Sequence, residues 1–110
     1  MSHPSNQKME TNVINGVYHN TFYEYYKDGS LAMETHYIGK KKNGPMKKWF
    51  QNGKLKKISN YALDKKCGAF ERYYHTGQLL MKGSYLEGIR KGYWVWYKID
   101  GSIDFEKCYS

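Results

Sequence analysis

Proline and cysteine are scarce in this chain of 110 residues, at two each. Cys67 and Cys108 lie far apart, in no Cys-x-x-Cys pair and in no Cys/His cluster. That spacing argues against a zinc site or a disulfide framework. Two reduced thiols in an intracellular, cytoplasmic setting are the expectation. No apolar run approaches the roughly 18 residues needed to span a bilayer. The opening MSHPSNQKME is polar and has no h-region, so a signal peptide is not expected. No segment shows a 3.6-residue period, which leaves helices without support. Catalytic constellations are missing as well: no phosphate loop, no HExxH, no nucleophile elbow, no paired Cys and His. Glu24, Glu34, Glu71, Glu87 and Glu106 are scattered, and His3, His19, His36 and His75 are isolated, with His36 and His75 expected at the surface. The chain is therefore expected to be no enzyme, with no cofactor, no metal and no small-molecule substrate.

Aromatic residues, glycine and lysine are what the chain does have. Aromatics make up 17%, with 12 tyrosines, and glycine occurs 11 times. Three stretches say nearly the same thing: KDGSLAMETHY from Lys27, QNGKLKKISNY from Gln51 and HTGQLLMKGSY from His75. Gly29, Gly53, Gly77 and Gly101 are spaced by 24, as are Gly44, Gly68 and Gly92. Leu31, Leu55, Leu79 and Ile103 keep the same step, and so do Tyr37, Tyr61, Tyr85 and Tyr109. Phe22, Met46, Phe70 and Trp94 form a fifth column, and Tyr25, Trp49, Tyr73 and Tyr97 a sixth. A fixed period of this size marks a repeat array. Extended back by half a unit, the pattern places Asn20 under Gly44, where Asn can stand in for glycine at positive φ. The repeat domain then covers residues 12–110, and residues 1–11 are expected to form a flexible polar segment outside it.

Asp-Gly and Asn-Gly between aromatic or β-branched runs are the strongest short-range signal for a hairpin. After Gly29, the series Leu31, Met33, Thr35, Tyr37 alternates with Ala32, Glu34, His36, which is the period of a strand. Each unit is thus read as a two-stranded hairpin, with a loop ending at Gly44, Gly68 or Gly92 leading to the next. The expected fold is all-β: an elongated antiparallel meander of about four hairpin units, or eight to nine strands in a single sheet roughly 40 Å long. Two registers are compatible with the turns. A two-residue turn pairs Tyr26 with Leu31, whereas a three-residue loop with a bulge brings Tyr25 to the leucine face. Either way one aromatic column stays on the opposite face, so the sheet must curl, be covered or lean on another molecule.

Asn52-Gly53-Lys54-Leu55, Tyr61, Lys65, Gly68, Tyr73-Tyr74 and Gly77-Gln78-Leu79 resemble the MORN repeat variant, the degenerate form seen in YwqK-family antitoxins and in proteins of large DNA viruses. The resemblance runs over about residues 12–110. It implies an elongated antiparallel sheet with protein-binding or scaffolding roles; related arrays dimerise or bind acidic lipids. The last unit departs from the pattern at Trp94, Trp96 and Lys98.

Lysine is distributed unevenly. Lys+Arg number 18 against 10 Asp+Glu, a formal +8, with Arg72 and Arg90 the only arginines. Residues 40–66 hold ten lysines and a single acid, Asp64, so this window carries the whole excess. Lys40, Lys41, Lys42, Lys47, Lys48, Lys54, Lys56 and Lys57 are the candidate patch for an anionic partner. That partner is an acidic protein, an anionic lipid surface or nucleic acid; a solubilising surface that protects edges is the plain alternative. Trp94, Trp96, Trp49, Tyr25 and Tyr73 are the candidates for an aromatic contact with a protein. Trp94 and Trp96 either cap the sheet or anchor a partner. The function expected is a non-enzymatic interaction or scaffold module, toxin-neutralising or structural, with a homodimer as one form.

Overall fold

The computed structural model describes residues 6–110. They form one antiparallel sheet in meander order, without helices. The strands are β1 (Asn6–Ile14), β2 (Val17–Tyr25), β3 (Leu31–Ile38), β4 (Lys41–Trp49), β5 (Leu55–Ala62), β6 (Lys65–Lys66), β7 (Gly68–Tyr73), β8 (Leu79–Leu86), β9 (Ile89–Tyr97) and β10 (Ile103–Tyr109). The short β6 pairs with β5 beside the start of β7, so nine strands make up the main path. The longest dimension is 44 Å, as expected for nine strands side by side.

Four three-residue loops line one edge of the sheet, and their chemistry is periodic. In the first, the Gly29 N–H donates to the Tyr26 carbonyl at 2.9 Å and the Tyr26 N–H to the Ser30 carbonyl at 2.8 Å. The same two bonds recur around Gly53, Gly77 and Gly101. Two residues before each backbone acceptor of this kind, a side chain oxygen takes an N–H: Asp28 from Ser30, Asn52 from Lys54, Thr76 from Gln78 and Asp100 from Ser102. The loop with a bulge is therefore the register adopted, with Tyr25 opposite Leu31. Consecutive units are tied here by side chains. The Tyr26 hydroxyl donates to the Trp49 carbonyl at 2.6 Å and the Tyr74 hydroxyl to the Tyr97 carbonyl at 2.7 Å. Phe50 holds the intervening position and has no hydroxyl; Asn52 bridges to the His75 carbonyl instead, at 2.9 Å.

The other edge differs from expectation. The connections there are two-residue turns at Asn15–Gly16, Gly39–Lys40, Leu63–Asp64 and Glu87–Gly88. The glycine column falls after them, so no loop ends at Gly44, Gly68 or Gly92. These glycines, at φ of 109°, 75° and 72°, sit at bulges where a later strand carries extra residues. Thr35 faces Met46 but Tyr37 faces Lys42, and Lys82 faces Val95 but Ser84 faces Lys91. Asn20 does not share this role: the ladder runs unbroken past it and its φ is not positive. Residues 6–11 also lie inside the sheet, as part of β1, in straight register from Asn6 opposite Tyr25 to Ile14 opposite Val17. The cause is the Asn15–Gly16 turn, with φ of 52° and 79°, which folds this stretch back onto β2. Residues 1–5 of the expected flexible segment lie outside the described residues.

Two rows of bulges, one at each end of the strands, recur from unit to unit. A second set lies at Glu24/Tyr25, Lys48/Trp49 and Arg72/Tyr73. Bulges bend a strand and increase its twist. The sheet accordingly curls, reaching 24 Å in its shortest dimension against the ~10 Å of one flat layer. One face closes on itself. Thr35, Met46, Ser59, Phe70, Met81 and Trp94 are buried, and the register places all of them on this inner face. Among the described residues, Val95 is the one buried on the outer face.

The inner row alternates large and small. Phe22 faces Thr35, Thr35 faces Met46, Met46 faces Ser59, and Phe70 faces Gly83. Trp94 fills the space above Gly83: a Cβ there would lie 2.0 Å from Trp94 Cδ2. Phe70, Tyr85 and Trp94 then pack with ring centroids 5.1–5.8 Å apart, Tyr85 edge-on to both. Ser59 is wholly buried and its hydroxyl has no partner, so size rather than polarity explains the residue. Gly83→Ala should lower stability in urea unfolding by about 1–3 kcal/mol, through overpacking. Ser59→Ala should raise it by about 1 kcal/mol, since an unpaired buried hydroxyl is removed without loss of fit. Equal losses from both substitutions would contradict the size alternation.

Candidate functional site

Cross-strand partners share a face, so the register sorts the charged residues that have one. On the inner face lie Lys42, Lys48, Lys57, Lys66, Arg72, Arg90 and Lys107, each opposite or in line with a core residue. Among the described strand pairs, Glu24 is the inner-face acid, and Gln7 Nε2 donates to it at 3.3 Å. The outer face mixes both signs: Glu10, Glu34, Glu71 and Glu106 against Lys8, Lys41, Lys47, Lys65, Lys82 and Lys91. The sheet is thus polarised, with seven cations to one acid within and six to four outside.

The eight lysines singled out from the sequence do not form one patch. Lys40 and Lys41 are exposed at the two-residue turn edge. Lys54 is exposed at the opposite edge, and the nearby Lys56 stands over the Phe50 ring at 5.6 Å. Lys47 is on the outer face, opposite Glu34. Only Lys42, Lys48 and Lys57 reach the inner face, because alternation along a strand sends neighbours in sequence to opposite sides. Lys66 and Arg72 join them there. Both were legible as members of columns: Lys42, Lys66 and Arg90 are spaced by 24, and so are Lys48 and Arg72.

These cations fall into two rows with different surroundings. In the first, each cation covers a tyrosine of the following unit. Lys42 Nζ is 5.1 Å from the centre of the Tyr61 ring, Lys66 Nζ is 5.0 Å from that of Tyr85, and Arg90 is 5.7 Å from that of Tyr109. Such cation–π contacts contribute about 0.5–1 kcal/mol each at exposed sites. Arg90 also donates to the Tyr109 hydroxyl at 3.0 Å and lies 4.7 Å over Trp94. In the second row, Lys57 directly faces Lys48 on one side and Arg72 on the other. Like charges directly opposite one another destabilise a sheet. The ion pairs among the described residues are Lys8–Glu10 and His36–Glu34, so none of this row is paired. Burial, followed by the charge of Lys48, pushes the Lys57 ammonium below its ordinary 10.5.

The aromatic candidates separate as well. Trp94 is 0% exposed, so it belongs to the core and cannot serve as the accessible anchor of a partner. Its ring was drawn inside by Gly83, and its indole N–H donates to the Lys91 carbonyl at 3.2 Å. Trp96 is half-buried beside it, 5.2 Å from the exposed Phe105. Tyr25, Trp49 and Tyr73 are half-buried at the three-residue-loop edge, each opposite a leucine. Tyr73 donates to Glu71 at 2.6 Å; burial and that carboxylate push its phenol up to about 12. His36 is half-buried rather than at the surface. It joins Thr21, 3.2 Å from Nδ1, to Glu34, 2.7 Å from Nε2, as a polar tie across β2 and β3. No group of three His, Cys, Asp or Glu among the described residues is placed to hold a metal ion.

The family model of the MORN repeat variant matches residues 18–38, 42–62 and 66–87, more than half of the chain, and the chain belongs to that family. Each match begins at Tyr18, Lys42 or Lys66, and the carbonyl of each of these residues accepts the N–H of the next two-residue turn at 2.8–3.0 Å. The hairpin of β9 and β10 repeats the same geometry beyond the matched stretches. No curated protein and no solved structure matches the chain. MORN repeats are in general non-catalytic modules that bind proteins or membranes.

Lys57→Met should stabilise the protein at low salt by about 0.5–1 kcal/mol, as it ends two like-charge contacts. The sign with pH follows from the lowered value. A lysine whose folded value lies below its unfolded one burdens the fold while protonated, and the burden lifts as pH rises through the folded value. The gain from Lys57→Met over wild type, measured by thermal unfolding, should therefore shrink as pH approaches 10.5. A gain that grows toward alkaline pH would be the opposite of this account.

Proposed function

We propose that the protein is a binding module for a protein partner with an acidic surface, and that the inner face receives it. The observation that carries this reading is the polarisation of the sheet: unpaired cations almost without acids on the inner face, acids mixed with lysines on the outer. Charge complementarity of this kind steers encounter and selects partners. A toxin to be neutralised or a component to be scaffolded would each meet the same surface. Two free cysteines fit work inside a cell.

The other anionic partners fit less well. A planar bilayer meets a curled face only at its rims. Stacking of nucleic-acid bases needs open aromatic planes, whereas cations already lie over Tyr61, Tyr85 and Tyr109. A second copy docked inner face to inner face would bring like charges together.

Affinity capture from the native source, washed at low and high salt, tests the reading with two variants of equal charge. Lys42, Lys48 and Lys57 changed together to Gln should release the partner. Lys47, Lys82 and Lys91 changed together to Gln should retain it. Capture of lipid or nucleic acid alone, or equal release by both variants, would overturn the assignment.

A further inference from the structure

The row of Lys48, Lys57 and Arg72 is the one group of inner-face cations without a task inside the sheet. Lys42, Lys66 and Arg90 cover tyrosine rings. These three face one another across β4, β5 and β7, with Met33 beyond Lys48 and Met81 beyond Arg72. Adjacent strands lie about 4.8 Å apart, so three positive charges are rooted within about 10 Å. The nearest inner-face acid along the row, Glu24, is the cross-strand partner of Met33 and is already bonded to Gln7. Lys48 and Lys57 are half-buried and Arg72 is exposed, which leaves the row desolvated at one end and open at the other.

We propose that Lys48, Lys57 and Arg72 form a binding site for a phosphate monoester carried by a protein partner. This rests on the inner face being the surface that receives a protein. A phosphate monoester brings about −1.5 to −2 charges and three acceptor oxygens to the three cations of the row. The Arg72 guanidinium presents a fork suited to two of those oxygens, while Lys48 and Lys57 act as point charges. A carboxylate supplies a single charge and leaves the row with an excess. The dianion binds where the folded chain carries its greatest unrelieved repulsion, so its binding and the relief of that repulsion reinforce each other. The same opposition of charges keeps the three side chains apart, as two neighbours push on Lys57 from either side.

The test compares wild type with Lys57→Met and with Lys54→Met, which loses an equal charge at the sheet edge. O-phosphoserine, inorganic phosphate and chloride are titrated at matched ionic strength, and the melting temperature is read. At ten times its dissociation constant, phosphoserine should raise the melting temperature of wild type and of Lys54→Met by about 5 °C. In Lys57→Met the rise should fall at least threefold. Arg72→Gln, at the exposed end of the row, should also lose most of it. Equal rises in Lys57→Met and Lys54→Met, or none in wild type, would overturn the site. So would sedimentation with phosphatidylserine vesicles in the absence of any response to phosphoserine, which would assign the row to a membrane. If phosphoserine has no effect while the inner-face Gln variant still releases its protein partner, only the phosphate assignment fails. If the partner is also retained, the inner-face reading fails with it.

Discussion

A single-layer sheet has no second layer against which to bury its apolar side chains, so they must be buried among themselves. In this protein that is achieved by fitting a large residue against a small one across successive strand boundaries. Phe22 lies beside Thr35, Met46 between Thr35 and Ser59, Phe70 beside Gly83, and Trp94 over Gly83. The fit requires curvature, and the two rows of bulges provide it. Curvature in turn defines an inner face, and with it the surface on which the cations collect. Removal of the size alternation would leave the hairpins without a common core, since each contacts mainly its neighbours in sequence.

The inner face then divides by function along the strands. At its centre is the closed row of core side chains. Toward the two-residue turns, cations are laid over tyrosines and serve the fold, each linking one unit to the next. Toward the three-residue loops, Lys48, Lys57 and Arg72 oppose one another and detract from the fold. Local sequence and global fold usually agree, and places where they conflict tend to be functional. The unit-to-unit cation–π column and the frustrated row lie on one face, but only the second has a structural cost without a structural return.

Much of the fold was legible in the sequence. The 24-residue period, the hairpin turns at Gly29, Gly53, Gly77 and Gly101, the single antiparallel sheet and its length all follow from columns of residue types. What was misplaced has physical causes. Gly44, Gly68 and Gly92 were assigned to loops because positive φ is common to turns and bulges, and spacing alone does not separate them. The strand from Asn6 was missed although Asn15-Gly16, between Ile14 and Val17, is as strong a hairpin signal as any in the chain; residues 6–12 are mostly polar and the whole strand is exposed. The site was less legible. A run such as Lys40 to Lys57 looks like one patch along the chain, yet strand alternation distributes it over two faces and two edges. Trp94 looked like an anchor by residue type, and only the missing Cβ at Gly83 puts it in the core.

The central claim is that register gathers a subset of the lysines on one face that is ready for an acidic partner. Lysine acetylation, followed by mass spectrometry in the presence and absence of poly-L-glutamate, tests this residue by residue. The account requires several-fold slower modification of Lys42, Lys48, Lys57 and Lys66 when the polyanion is bound, with Lys8, Lys47, Lys82 and Lys91 unchanged. Uniform slowing of all lysines, or protection centred on Lys40, Lys41 and Lys54 at the edges, would contradict it.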